Sequence, residues 1–270
     1  MRITLLFLSM MLVLIHTSAQ TSSANNNQVD DGPGGMFEIN LRAGIPVGSF
    51  GTVTDAIPFG LSGALFFQPT KKIPIAVGAD LGYMNYGTVR QQQTLDVEIT
   101  ANGSVINEFY IPLEITTSNN IFDGHLIIRS VAPINYFKPY LEGVFGFHYF
   151  WTATTVRDQS TEHYLSEPDN DVISSSTQLG DAAMSFGAGG GVIIEVNKNF
   201  GINLRADYLL GGRLKWFDKE DTQLWTVSID NDGAIADPDE IAQQNVNVNA
   251  LATESNTDMV TIQAGLLFTF

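Results

Sequence analysis

Eight stretches of this chain, each about ten residues long, alternate apolar and polar side chains with a period of two. Phe37, Ile39, Leu41, Ala43 and Ile45 alternate with Glu38, Asn40, Arg42 and Gly44. Phe59 to Phe67 and Ile75 to Tyr83 repeat the pattern, with Phe66 falling on the wrong side. A noisier stretch, Ile121 to Val131, sets Phe122, Leu126 and Ile128 opposite Asp123, His125 and Arg129. Leu141 to Trp151, Phe186 to Val196 and Phe200 to Tyr208 follow. The last, Val260 to Phe270, has Leu267 as its one apolar intruder. This is the period of β-strands that are greasy on one side only, and ten residues is the length a tilted strand needs to cross a bilayer.

The opposite face is heavily charged. Arg42, Arg129 and Arg205 share it with Glu38, Asp80, Asp123, Glu142, Glu195 and Asp207. A soluble barrel would turn the apolar face inward and leave these groups in water. Two features favour the inverse, with hydrocarbon outside and charge inside. A narrow barrel fills quickly and has little room for so many regularly spaced aromatics. Aromatics also cluster at segment ends, as at a membrane interface: Tyr83 and Tyr86; Tyr136, Phe137 and Tyr140; Tyr149, Phe150 and Trp151.

The connections alternate in length. Residues 69–74, 132–139 and 197–199 are short, whereas 46–58, 87–120, 152–183 and 211–257 are longer. A sandwich has no reason to place every long loop on alternate connections, but an eight-stranded antiparallel up-and-down transmembrane β-barrel with short periplasmic turns and long extracellular loops does. The net charge of −16 is uneven too: the three longest connections hold nineteen acids against five basic residues. The short turns contain no acid and carry Lys71, Lys72, Lys138 and Lys198. So acidic a chain is a poor nucleic-acid binder, and no nucleic-acid partner is expected.

Residues 1–19 have the form of a secretory signal peptide: Arg2, an apolar run from Ile3 to Ile15, and Thr17-Ser18-Ala19 suited to cleavage. Residues 20–35 read as a flexible, Gly-rich periplasmic leader, leaving 36–270 as one barrel domain. The chain has no cysteine, so neither a disulfide nor a lipidated N-terminal Cys is available. Beyond the signal peptide no run of 18 apolar residues occurs, so a membrane-crossing helix is not expected.

With eight such segments, short basic turns and a terminal aromatic, the chain resembles the small outer-membrane β-barrels of the OmpA transmembrane-domain, OmpX and OmpW type over residues 36–270. The resemblance implies the outer membrane of a Gram-negative bacterium, outer-membrane lipid as the surrounding partner, and recognition of the strand ending at Phe270 by the barrel-assembly machinery. It implies a structural, surface-interacting role, with the acidic loops facing extracellular partners. A narrow channel for small or apolar solutes is the alternative, and a lipid-modifying enzyme a further one.

No catalytic, cofactor or metal residue is assigned. Eight strands enclose barely enough room for side chains, so the interior charges are expected to pair and plug the lumen. His148 beside Tyr149, with Glu142 on the same face, is the only suggestive catalytic set, but no His-x-Ser pattern appears at His148, and His125 with Arg129 fares no better. The loop from Ser228 to Glu240 resembles a calcium loop through Asp230, Asp232, Gly233, Ile235 and Asp239, but has Ser228 where Asp is wanted. It is therefore not counted as a metal site.

Overall fold

The computed structural model describes residues 32–70, 73–101, 104–132, 134, 136–160, 171–223 and 251–270. The signal peptide, the leader up to residue 31 and the Ser228 to Glu240 loop lie outside the described residues. In chain order the elements are β1 (Gly34–Pro46), α1 (Gly48–Val53), β2 (Phe59–Gln68), β3 (Ile75–Ala101), β4 (Ser104–Val131), β5 (Phe137–Asp158), β6 (Val172–Asn197), β7 (Phe200–Gly211), β8 (Arg213–Trp216), α2 (Lys219–Gln223), β9 (Thr253–Asn256) and β10 (Met259–Thr269). Strand pairing begins at Gly34, two residues ahead of the expected barrel start.

Eight of these strands close into an antiparallel barrel in the order β1, β10, β7, β6, β5, β4, β3, β2. The seam is the pairing of the first strand with the last, continuous from Met36 opposite Thr269 to Pro46 opposite Met259. It is clamped by reciprocal backbone bonds between Gly35 and Phe270, at 2.9 and 3.0 Å. Closure removes the exposed strand edges that an open sheet would present.

Each strand keeps the side expected from its period. Leu41, Phe59, Phe67, Leu126, Ile128, Leu141, Phe145 and Phe186 point outward and are exposed, while Glu38, Arg42, Asp80, Asp123, Arg129 and Asp207 point inward and are buried. The two residues that broke the pattern belong inside. Phe66 and Leu267 are buried, Leu267 against Tyr140 and Ile193, so their apolar character fills lumen volume.

Three expectations need correction. The connections 87–120 and 152–183 are largely strand: β3 and β4 pair onward to Ala101 opposite Ser104, and β5 and β6 to Arg157 opposite Val172. The segment is rich in β-branched residues and alternates again, with Ile111, Leu113, Ile115 and Thr117 buried on one side and Glu114, Thr116 and Ser118 on the other. High polarity on the outer face made it read as loop. The aromatic clusters, too, do not all form girdles. Tyr83 and Tyr149 are exposed and Trp151 half-buried, ringed together at 5.9 and 5.6 Å, but Tyr86, Tyr140 and Phe150 turn inward and are buried. Consecutive aromatics on a strand must split between its faces, and a bulge between Asn85 and Gly87 resets the register at Tyr86.

The described ends of the 211–257 connection, expected as an acidic external loop, pair with each other over the barrel mouth as β8 and β9. Trp216 on β8 and Phe50 on α1 meet edge-to-face at 5.1 Å above Tyr86, Phe150, Met84 and Ile121 of the wall. Trp216 donates its Nε1–H to Ser255 at 3.0 Å. The mouth at the long-hairpin end thus carries a buried aromatic lid.

Candidate functional site: the charged lumen

Below that lid the barrel interior is ionic. Strand alternation puts one inward residue every second position, so β1 supplies Glu38 and Arg42, β3 Asp80, β4 Asp123, His125 and Arg129, β5 Glu142 and His148, and β7 Arg205 and Asp207. Every carboxylate and guanidinium in this set is at most 5% exposed. Arg42 reaches Asp123 directly. Arg129 bonds Glu38 at 2.5 Å and Glu142 at 2.7 Å, and Arg205 holds Asp80 at 3.1 Å, Asp207 at 2.7 Å and the second oxygen of Glu142. Glu142 therefore bridges two arginines. Glu195, expected in the same set, lies at the opposite rim, paired with Lys138 at 2.9 Å and about one-third exposed.

Neutral groups finish the network. Asn203 donates to Glu38 at 3.0 Å and accepts from the Tyr140 hydroxyl at 2.9 Å, and Ser62 donates to Gln263 at 3.1 Å. The guanidinium of Arg129 is stacked between the rings of Phe66, at 3.9 Å, and Tyr140, at 4.1 Å. Buried ions are tolerable only when partnered, and here each has an opposite charge in contact, although Asp80 Oδ1, Asp123 Oδ2 and Asp207 Oδ1 accept no hydrogen bond among the described residues.

Glycines make the long reaches possible. Arg42 lies on β1 and Asp123 on β4, with β2 and β3 between them. Gly82 on β3 is the inward residue beneath their contact, and a Cβ there would stand 2.7 Å from the Asp123 carboxylate. Gly146 plays the same part on β5: it pairs with His125 on one side and Ser185 on the other, so those two side chains meet across it.

That meeting brings together three groups that sequence spacing did not connect. His125 Nε2 lies 2.8 Å from Ser185 Oγ, and its Nδ1 lies 3.4 Å from Asp123. Ser185 sits on the polar side of its strand with nothing in the local sequence to link it to a histidine 60 residues earlier. His148 and Glu142, the set suggested by sequence, do not form a catalytic pair: Glu142 is held by Arg129 and Arg205. His148 instead packs edge-on against His125, at 5.4 Å, with neither ring nitrogen hydrogen-bonded among the described residues.

A nucleophile, a base and an acid in this order define an acyl-transfer relay only if a substrate can reach the serine. Here Ser185 and Asp123 are fully buried, and Arg42 already occupies the oxygen of Asp123 that faces His125. The arrangement satisfies polar groups in a packed lumen. A fluorophosphonate probe is accordingly expected to leave Ser185 unmodified in the folded protein, as read by peptide mass spectrometry; labelling there would reverse this assignment.

The fold and lumen define a closed eight-stranded β-barrel with a polar, filled interior. No family model matches the chain, and no curated protein does. Among solved structures, Neisserial surface protein A aligns over 88% of this chain and 97% of its own at 11% identity and a TM-score of 0.38. Ail, the attachment invasion locus protein of Yersinia pestis, aligns over 89% and 99% at 10% identity and 0.35. A major outer membrane protein of Thermus thermophilus aligns over 87% and 99% at 12% identity and 0.41. Similarity at this level adds no weight, and the barrel assignment rests on the strand register itself.

Proposed function

We propose that this chain is an integral outer-membrane β-barrel whose plugged interior anchors it and whose extended hairpins form a surface for extracellular contacts. One observation carries the reading: the outer wall is apolar and exposed while the lumen is charged and buried. Leu41, Leu61, Phe67, Val77, Leu126, Ile128, Leu141, Phe145, Phe186 and Ile262 are each roughly half-exposed or more, spread over seven of the eight barrel strands. A continuous apolar wall far exceeds the patches that water-soluble monomers leave uncovered. Hydrocarbon is the solvent that such a wall fits, and a closed barrel leaves no unpaired strand edge toward lipid.

The filled lumen favours an anchoring role over transport. Arg129, Arg205 and their carboxylates are buried in the lumen, and the Trp216–Phe50 lid covers one mouth. The acidic outer segments then serve as the contact surface, and the last strand, ending at Phe270, as the element offered to the assembly machinery. The test is direct. Unboiled protein folded in detergent is expected to migrate differently from boiled protein on electrophoresis, and planar bilayers containing it are expected to show no steady conductance. Folding as a monomer in plain buffer would overturn the membrane assignment, and steady conductance would return the channel reading.

A further inference from the structure

The strand extensions beyond the aromatic ring form a half-open cavity of about 300 Å³ on the outward face. Its described walls are Arg90 on β3, Glu114 and Thr116 on β4, Thr155 and Arg157 on β5, Gln159 just after β5, and Asp171 ahead of β6. The register explains why they converge. Arg90 pairs with Thr116, Thr116 with Thr155, and Glu114 with Arg157, so one outward row of three neighbouring strands lines the site. Arg157 is held by both oxygens of Asp171, at 3.1 and 3.2 Å. Thr116 donates to Glu114 at 3.3 Å. Arg90 is exposed and has no partner among the described residues.

We infer that this cavity binds a saccharide, presented by a glycolipid of the surrounding outer leaflet; the inference rests on the membrane reading above. Two carboxylates, two guanidiniums, two threonine hydroxyls and the Gln159 amide provide both donors and acceptors, which suits vicinal hydroxyls. The carboxylates disfavour a polyanion, since Glu114 and Asp171 would face its charges. Arg90, still free, can take a single acid group on the sugar.

Height selects the source. Thr155 and Arg157 lie four and six residues beyond Trp151 of the aromatic ring. At about 3.3 Å per residue that is ~13–20 Å along the strand. With a tilt of roughly 35–45° it becomes ~10–15 Å along the membrane normal. A phospholipid head group extends only about 5–8 Å beyond the hydrocarbon. A lipid must carry sugars to reach the cavity. The described lining residues include no aromatic platform, so a free sugar would bind weakly; tethering in the leaflet supplies the high effective concentration that a weak site needs.

The experiment uses the full chain in phosphatidylethanolamine nanodiscs doped either with a glycolipid bearing an acidic core oligosaccharide or with the same lipid stripped of its sugars. Co-retained lipid is counted by native mass spectrometry for the native chain and for the double variant Arg90→Ala, Glu114→Ala. Both side chains are outward and solvent-reachable, and heat-dependent migration verifies that the variant folds. The native chain is expected to retain the sugar-bearing lipid roughly tenfold over the stripped one, and the variant to lose that preference. Equal retention of both lipids, or a preference untouched by the substitutions, would overturn the site. A soluble core oligosaccharide that displaces the glycolipid at equal concentration would overturn the tethered source. Failure to enter the discs strikes the membrane reading as well, whereas lost sugar preference in an inserted barrel strikes this inference alone.

Discussion

Arg129→Met is expected to cost roughly 3–5 kcal/mol of barrel stability, the range seen when one member of a buried ionic cluster is removed. Methionine matches much of the volume and keeps contact with the Phe66 and Tyr140 rings, so packing is largely preserved. What is lost is the cation that serves Glu38 and Glu142 together. Glu142 would still have Arg205, but Glu38 would keep only the Asn203 amide. A carboxylate at zero exposure with one neutral donor must be desolvated without compensation. Urea unfolding in lipid vesicles, followed by tryptophan fluorescence, measures the change. The companion variant Glu38→Gln with Arg129→Met should recover a large part of the loss, because it removes the orphaned charge. An effect below about 1 kcal/mol for Arg129→Met would mean that the lumen is wet and its charges are solvated.

The second large effect comes from a residue that looks expendable. Leu126 is 63% exposed, and in a water-soluble protein an exposed Leu→Arg change would fall within about 0.5 kcal/mol. Here Leu126→Arg is expected to destabilise by roughly 2–4 kcal/mol, the cost of an arginine facing lipid near mid-bilayer. Leu126 pairs with Ala79 and Phe145 on neighbouring strands, well inside the paired region, so the added charge has no nearby rim to reach. The same substitution at Tyr110, equally exposed but on the outer extension of β4, is expected to be nearly neutral. Folding yield into vesicles and urea midpoints for the pair read the difference. Equal effects at both positions would remove the hydrocarbon from the outside of the barrel.

These two positions also show what could be read without coordinates. Leu126 and Arg129 are three residues apart, so a period of two puts them on opposite faces, and the composition of the two faces names the solvent of each. Partners were another matter. Arg129 meets Glu142 across a neighbouring strand, but Glu38 is 91 residues away, and nothing in the local sequence around either residue encodes their bond. Ser185 lies on the polar face of its strand, but its histidine lies two strands over and is reached only across Gly146. Phe66 and Leu267 looked like errors in a pattern because their neighbours in the lumen were unknown.

The outer segments conceal their strands for a related reason. Residues 87–120 carry four acids and one arginine, and their polarity suggested solvated loop. A strand pair outside the bilayer needs no apolar outer face, so it keeps its backbone ladder while its outward residues turn polar. That is where Arg90, Glu114 and Arg157 were brought into one cavity.

Alternation along the chain was thus enough to fix the number of wall strands, their inward and outward faces, and the need for apolar surroundings, because a strand's two faces are a local property with a period of two. Which buried charge neutralises which, which glycine clears the way, and which connections fold back as lid or continue as strand were decided only by closure of the barrel. Those contacts join residues tens to hundreds of positions apart, and their energies exist only once the register around the ring is set.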